Sequence, residues 1–177
     1  MIYAPSTISF EEECMMSKLK SIIEATIGVI LMASAFEVSA QALPYGAPIS
    51  IDNAKKVSAA ALAESRKNNW THAVAITDPA GILIYFERMD GAQNAAQDVA
   101  PAKARSAALF RRPTKAFQDD VAAGGIGLRY LSLPGVVAAE GGVPLVIDGK
   151  IVGAIGTSGG TYAQDGQVAS AGAAALQ

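Results

Sequence analysis

From Ser50 onward, apolar residues recur at Ile51, Ala54, Val57, Ala61 and Leu62. That spacing lines one face of a helix, and the Ser50 hydroxyl is suited to cap its first turn. The pattern stops at Asn68-Asn69. Residues 70–77 then alternate and are rich in β-formers, Asp78-Pro79-Ala80-Gly81 makes a turn, and residues 82–88 read as the returning strand of a hairpin. Met89-Asp90-Gly91 closes that strand. A second, alanine-rich helix runs to about Phe110, with Pro101 in its first turn or kinking it. Arg111-Arg112-Pro113-Thr114 interrupts the chain, residues 115–123 form another helix, and Gly124-Gly125-Ile126-Gly127 ends it in a loop. Residues 136–140, 143–147 and 150–157 are three further strands, the last two joined by Asp148-Gly149, a strong signal for a type I′ hairpin. Alanine-rich sequence from Tyr162 onward makes a terminal helix.

Links of two to four residues between strands require antiparallel pairing rather than parallel crossovers. The elements therefore predict an α+β domain, a five-stranded antiparallel sheet flanked by helices, of the profilin-like kind.

Upstream of this domain the pattern changes character. Lys18 and Lys20 precede an apolar run over residues 22–36, broken only by Glu24, Thr26 and Ser34, and Val38-Ser39-Ala40 follows with small residues. This is the layout of a secretory signal, and the run is too short and too interrupted to span a bilayer. Residues 16–40 are read as a signal peptide cut after Ala40, or after Ala42 as the alternative. Residues 1–15, with Glu11-Glu12-Glu13, read as an upstream extension that is not translated, since Met15 or Met16 is the better start. Residues 41–49 form a leader and 50–177 the domain. The protein is expected outside the cytoplasm, periplasmic or secreted, with no membrane association once the signal is gone.

Charge follows from that boundary. The full chain has 14 basic and 16 acidic residues; from residue 41 onward it keeps 12 against 11. A near-neutral chain offers no clustered basic footprint for nucleic acid. Cys14, the only cysteine, also lies upstream, so neither disulfides nor thiolates contribute to the domain.

His72 is the only histidine, which excludes metal sites built on two or more His ligands. A haem iron needs only one or two axial ligands, and the domain offers His72, Met89, Tyr45, Tyr85, Tyr130 and Tyr162. Gly156-Thr157-Ser158-Gly159-Gly160 joins a strand to a helix, where free backbone N–H groups favour a carboxylate or phosphate; its spacing is neither a dinucleotide fingerprint nor a P-loop. In Glu87-Arg88-Met89-Asp90-Gly91, Arg88 can pair a carboxylate. Lys103 and Arg105 are charges within a helix of small residues, either reaching outward or holding an acidic group. No nucleophile and base stand at a diagnostic spacing, so no catalytic residue is assigned.

Taken in order, Val74-Ala75-Ile76-Thr77-Asp78-Pro79-Ala80-Gly81, Arg88-Met89-Asp90-Gly91-Ala92, Ala100-x-x-Lys103-Ala104-x-x-Ala107, Gly141-Gly142-Val143-Pro144 and Val152-Gly153-Ala154-Ile155-Gly156-Thr157-Ser158-Gly159-Gly160 with Asp165 resemble the GlcG/HbpS-like proteins, also called the haem-binding or haem-degrading domain. The resemblance runs from about Ser50 to Leu176; Arg105 and Pro101 are departures that remove no motif. It implies a profilin-like fold, homo-oligomers, and haem or a related tetrapyrrole as cofactor, sequestered or broken down. By the same resemblance, Arg88, Met89, Asp90, Lys103, Gly141, Gly142, Gly156, Ser158, Gly159, Gly160 and Asp165 are candidate cofactor-binding residues; His72 is a separate candidate, as cofactor-binding residue and iron ligand, outside the matching motifs. A small-carboxylic-acid protein of the glycolate-pathway type and a non-catalytic oligomeric interaction module are the alternatives. Export ranks haem first, because the other settings of the family are cytoplasmic.

Overall fold

The structure, a computed structural model, describes residues 42–176. The upstream extension, the signal peptide and the cut after Ala40 lie outside the described residues. The elements in chain order are α1 (Ile51–Lys67), β1 (Ala73–Thr77), β2 (Leu83–Arg88), α2 (Ala96–Phe110), α3 (Thr114–Ala122), a 3-10 segment (Gly125–Ser132), β3 (Gly142–Ile147), β4 (Lys150–Ser158) and α4 (Tyr162–Ala174).

Local chemistry accounts for most boundaries. Ser50 Oγ accepts from Asn53 N–H at the start of α1, and Thr161 and Gln164 form a capping box at the start of α4. The Asp78 carbonyl accepts from Gly81 N–H while its side chain accepts from Ile82 N–H, which closes the β1–β2 turn. Asp148 and Gly149 both take positive φ (50° and 70°), the type I′ geometry expected for the β3–β4 hairpin. Pro101 falls in the second turn of α2 rather than its first, and the helix continues through it to Phe110.

The sheet has four strands in the order β2-β1-β4-β3, every pair antiparallel. The expected fifth strand over residues 136–140 is not one. Two of its backbone donors go to helix side chains, Val137 N–H to Ser106 Oγ (3.0 Å) and Glu140 N–H to Gln118 Oε1 (2.8 Å), and Val136 N–H turns back to the Leu133 carbonyl. These residues cross over α2 and α3 instead of adding to the ladder. The leader takes up pairing in another place. β4 is nine residues long and β1 only five, and beyond the end of β1 the leader bonds to the start of β4. Ile151 N–H donates to Pro44 O, Gly46 N–H to Ile151 O and Ile49 N–H to Val152 O, each at 2.8 Å.

Helices cover both faces. α1 and α4 lie on one, where Val57, Leu62, Val74, Ile76, Ile155 and Val168 form the main core. On the other, Ala96, Ala100 and Ala104 of α2 pack on Ala73 and Ala75. The alanine stripe of α2 is thus spent on the sheet. Gly156 lies beneath it, and a Cβ there would run into the Ala100 carbonyl and the Ala104 amide, so only glycine lets the helix approach this closely.

Candidate functional site

One polar cluster sits inside this apolar frame, at the start of β1 and the end of β4. His72 immediately precedes β1, Lys103 lies in the middle of α2, Thr157 is the last residue but one of β4 and Asp165 is in the first turn of α4. Lys103 and Asp165 therefore start from helices on opposite faces of the sheet. They meet beside the start of β3: Lys103 Nζ donates to Asp165 Oδ2 at 2.6 Å and to the Thr157 carbonyl at 3.2 Å. The gap they use is made by Gly141 and Gly142. A Cβ on Gly141 would stand 3.0 Å from Lys103 Nζ, and one on Gly142 would strike the Lys103 carbonyl. Gly142 N–H is in turn held by Thr114 Oγ1 at 2.9 Å.

Asp165 uses its remaining acceptors fully. Oδ1 accepts from Gly160 N–H at 3.0 Å, and its backbone carbonyl accepts from Thr157 Oγ1–H at 2.6 Å. The anion at the glycine-rich strand-to-helix junction is thus the protein's own carboxylate. Thr161 N–H beside it is taken by Gln164 Oε1. This answers the two open readings of Lys103: it holds an acid, and it does not reach outward.

His72 completes the cluster. Ser65 Oγ–H donates to the Trp70 carbonyl at 2.9 Å, which commits the hydroxyl proton and leaves His72 Nδ1–H to donate to Ser65 Oγ at 2.8 Å. Nε2 lies 3.2 Å from Asp165 Oδ1 without the alignment of a hydrogen bond. His72 is 0 % exposed, Lys103 1 % and Asp165 2 %. A Cβ on Gly160 would lie 3.2 Å from Nε2, and one on Gly159 would meet the Thr71 carbonyl, so the glycine loop closes directly over the imidazole. No space remains there for a macrocycle. The expectation of His72 as an iron ligand therefore does not fit this enclosure.

The other sequence candidates do not join the cluster. Gly156 and Gly142 serve close packing, and Ser158 is buried at the end of β4, paired across from Ala73. Arg88, Met89 and Asp90 line a separate depression of about 330 Å³ with Arg66 and Glu87. Its one tie to the cluster is Met89 N–H, which donates to the His72 carbonyl at 3.0 Å. Ser65 and Thr157 belong to the cluster and were not singled out by the sequence. The signal for Ser65 was present: it continues the stripe Val57, Ala61 at a spacing of four, a hydroxyl on an otherwise apolar face.

A second constellation is open to water. Arg112 stacks over the Phe117 ring at 4.1 Å, and its Nη2–H donates to the Tyr130 hydroxyl at 3.1 Å. Phe110, Phe117 and Tyr130 form an edge-to-face series, with centroids 5.3 and 5.0 Å apart. Arg129 lies over the same tyrosine ring at 5.2 Å. The Arg129 guanidinium and then the Arg112 N–H stabilise the phenolate and hold the Tyr130 hydroxyl below the usual tyrosine range. A cavity of about 290 Å³ opens beside it, lined by Ile126, Gly127, Arg129, Tyr130 and Asp120 among others.

A family model described as haem degrading protein HbpS-like matches residues 49–174. The chain belongs to the HbpS-like family. Among curated HbpS-like relatives, protein GlcG of Escherichia coli (strain K12) is 43 % identical over 110 residues, 62 % of this chain and 81 % of that protein. An uncharacterised 15.0 kDa protein of the dhaT-dhaS intergenic region of Citrobacter freundii is 33 % identical over 121 residues, covering 67 % of this chain and 85 % of its own length. Among solved structures, a double mutant of Streptomyces reticuli HbpS aligns with a TM-score of 0.68 at 28 % identity, covering 81 % of this chain and 97 % of that one. A PduOC domain solved as a haem complex aligns with a TM-score of 0.67 at 29 % identity, covering 73 % of this chain and 96 % of the other. The HbpS-like match begins at Ile49, the last leader residue bonded to β4 and two positions before α1.

Proposed function

We propose that this chain is a haem-binding protein, taking haem or a related tetrapyrrole, that works outside the cytoplasm as a homo-oligomer and sequesters or breaks down its ligand. The observation that carries this reading is the likeness of nearly the whole described domain to PduOC, a domain solved with haem bound. The family description points the same way. Export rests on the signal-like residues 16–40.

The residues present fit haem at the surface rather than in the buried cluster. Of the six candidate iron ligands, His72 is enclosed and Met89 packs against the main core. Tyr45 Oη donates to the carbonyls of Ala108 and Leu109, and Tyr85 Oη donates to Glu87 Oε2. That bond to a carboxylate raises the Tyr85 hydroxyl above its usual range, which disfavours the phenolate an iron would need. Tyr130 and Tyr162 remain, Tyr162 being exposed at the first position of α4. Haem would supply a redox-active iron able to engage oxygen, while the protein's part is to bind and orient it. A small carboxylic acid finds less support, since Asp165 takes the loop donors and the shallow cavity over Gly141 and Gly142 is lined by Glu140 as well as Lys115.

Titrating the purified protein with haemin tests the reading. Saturation at about one haem per subunit, with micromolar or tighter affinity and a shifted Soret band, is the expected result. A haemin spectrum unchanged by the protein overturns it.

A further inference from the structure

The 3-10 segment Gly125–Ser132 is unlike the rest of the domain. It is eight residues long, where such helices seldom exceed four because their hydrogen bonds are poorly aligned. It also leaves apolar side chains in water: Ile126 is 79 % exposed and Leu131 68 %, with Leu128 and Leu133 exposed beside them. At three residues per turn, Ile126 aligns with Arg129 and Gly127 with Tyr130, and these two rows line the 290 Å³ cavity. Exposed apolar side chains beside a cavity are a mark of a binding face.

Charge and chemistry select the occupant. The cavity's rim carries Arg129, with Arg112 bonded to the Tyr130 oxygen and exposed Arg111 adjacent in sequence. Asp120 is the one acid lining the cavity, and the acid one residue before it, Asp119, is already paired to Lys115. An occupant that is flat and apolar with anionic edges, and whose centre takes a phenolate, matches all three properties. Resting on the haem-binding reading above, we propose that the Tyr130 face is the haem site, with Tyr130 as the axial ligand of ferric haem and Arg129 and Arg112 flanking it.

Tyr130 Oη would hold the ferric iron as a phenolate, its proton passing to solvent in exchange for a water or chloride on the metal, with nothing oxidised or reduced. Arg112 already donates to this oxygen at 3.1 Å and Arg129 lies over the ring at 5.2 Å, so two cations flank the charge a phenolate would carry. Exposed Ile126, which lines the cavity, would cover the porphyrin, and the arginines would meet its propionates.

Tyr130→Phe in the full chain is the test, because it removes one oxygen and leaves the ring against Phe117. Haemin with the wild-type protein is expected to give a ferric tyrosinate spectrum, with iron–phenolate bands in resonance Raman. Tyr130→Phe should lose those bands and bind haemin at least about tenfold more weakly. If Tyr130→Phe keeps the wild-type spectrum and affinity, the protein binds haem elsewhere: this inference falls and the haem reading stands. If the wild-type protein takes no haemin, the reading fails first and takes the inference with it. Ile126→Asp supplies a further check. Should it dissociate an oligomer while leaving haemin affinity unchanged, the face is a contact between copies of this chain and the inference is overturned.

Discussion

The Lys103–Asp165 pair and the Tyr130–Arg112–Arg129 group use similar chemistry in opposite surroundings. Each brings cations to an oxygen that can carry negative charge. In the first, the pair is sealed within the domain, every Asp165 acceptor has a partner from the chain itself, and glycines close the space around it. In the second, a half-buried tyrosine lines a cavity together with exposed Ile126. The difference teaches that burial, more than residue type, separates a structural cluster from a candidate binding face. A lysine, a histidine and an aspartate in one place look catalytic in a sequence, yet here they tie together the two helical layers around the end of the sheet.

That contrast makes its largest prediction at Lys103. Lys103→Met leaves the Asp165 carboxylate in the interior without its cation, a change that costs about 3–5 kcal/mol in comparable buried pairs. The urea midpoint should fall accordingly. The double variant Lys103→Met/Asp165→Leu should recover much of the loss, because an apolar pair of similar volume removes the uncompensated charge. If Lys103→Met is nearly neutral, water reaches Asp165 and the sealed half of the comparison is wrong.

Ser65→Ala probes the same cluster more gently. The Trp70 carbonyl and His72 Nδ1 would both lose their partner within the protein. Leaving buried polar groups unpaired costs about 1–3 kcal/mol, so a loss near 2 kcal/mol by urea unfolding is the expected outcome. A change below about 0.5 kcal/mol would mean that His72 finds another partner, which the enclosure around it does not offer.

The same contrast sorts what the sequence could convey. Helices and hairpins were legible because their signals are local: Ser50 and Thr161 as caps, Asp78 to Gly81 and Asp148-Gly149 as turns, and the 3.6-residue stripe of α1. Residues 136–140 misled because β-forming composition does not reveal that Ser106 and Gln118, about 20 to 30 positions upstream, would claim their amides. The leader's bonds to β4 were hidden for the same reason, since they depend on β4 outrunning β1. Within the candidate site, His72, Lys103 and Asp165 were picked out one by one, and their convergence emerges only when α2 and α4 are laid on opposite faces of the sheet. Arg112 was read merely as part of a chain break. Its stacking on Phe117 and its bond to Tyr130 depend on how α3 and the 3-10 segment fold back.

The smallest effect lies on the open side and concerns protons rather than folding. Tyr130 should ionise below the usual tyrosine value near 10, because Arg129 and Arg112 favour its phenolate, whereas Tyr85 should ionise above that value beside Glu87. An ultraviolet pH titration of tyrosinate absorbance should therefore show an early phase that Tyr130→Phe removes and Arg129→Ala moves upward. The sign of the linkage follows. A folded-state pKa below the unfolded one stabilises the fold above the unfolded pKa, and that gain disappears as pH falls through the folded value. Tyr130→Phe should therefore remove the gain on the alkaline side together with the early phase. If instead the early phase survives in Tyr130→Phe, the arginines act on another phenol, and the contrast between a sealed cluster and an activated surface tyrosine loses its open half.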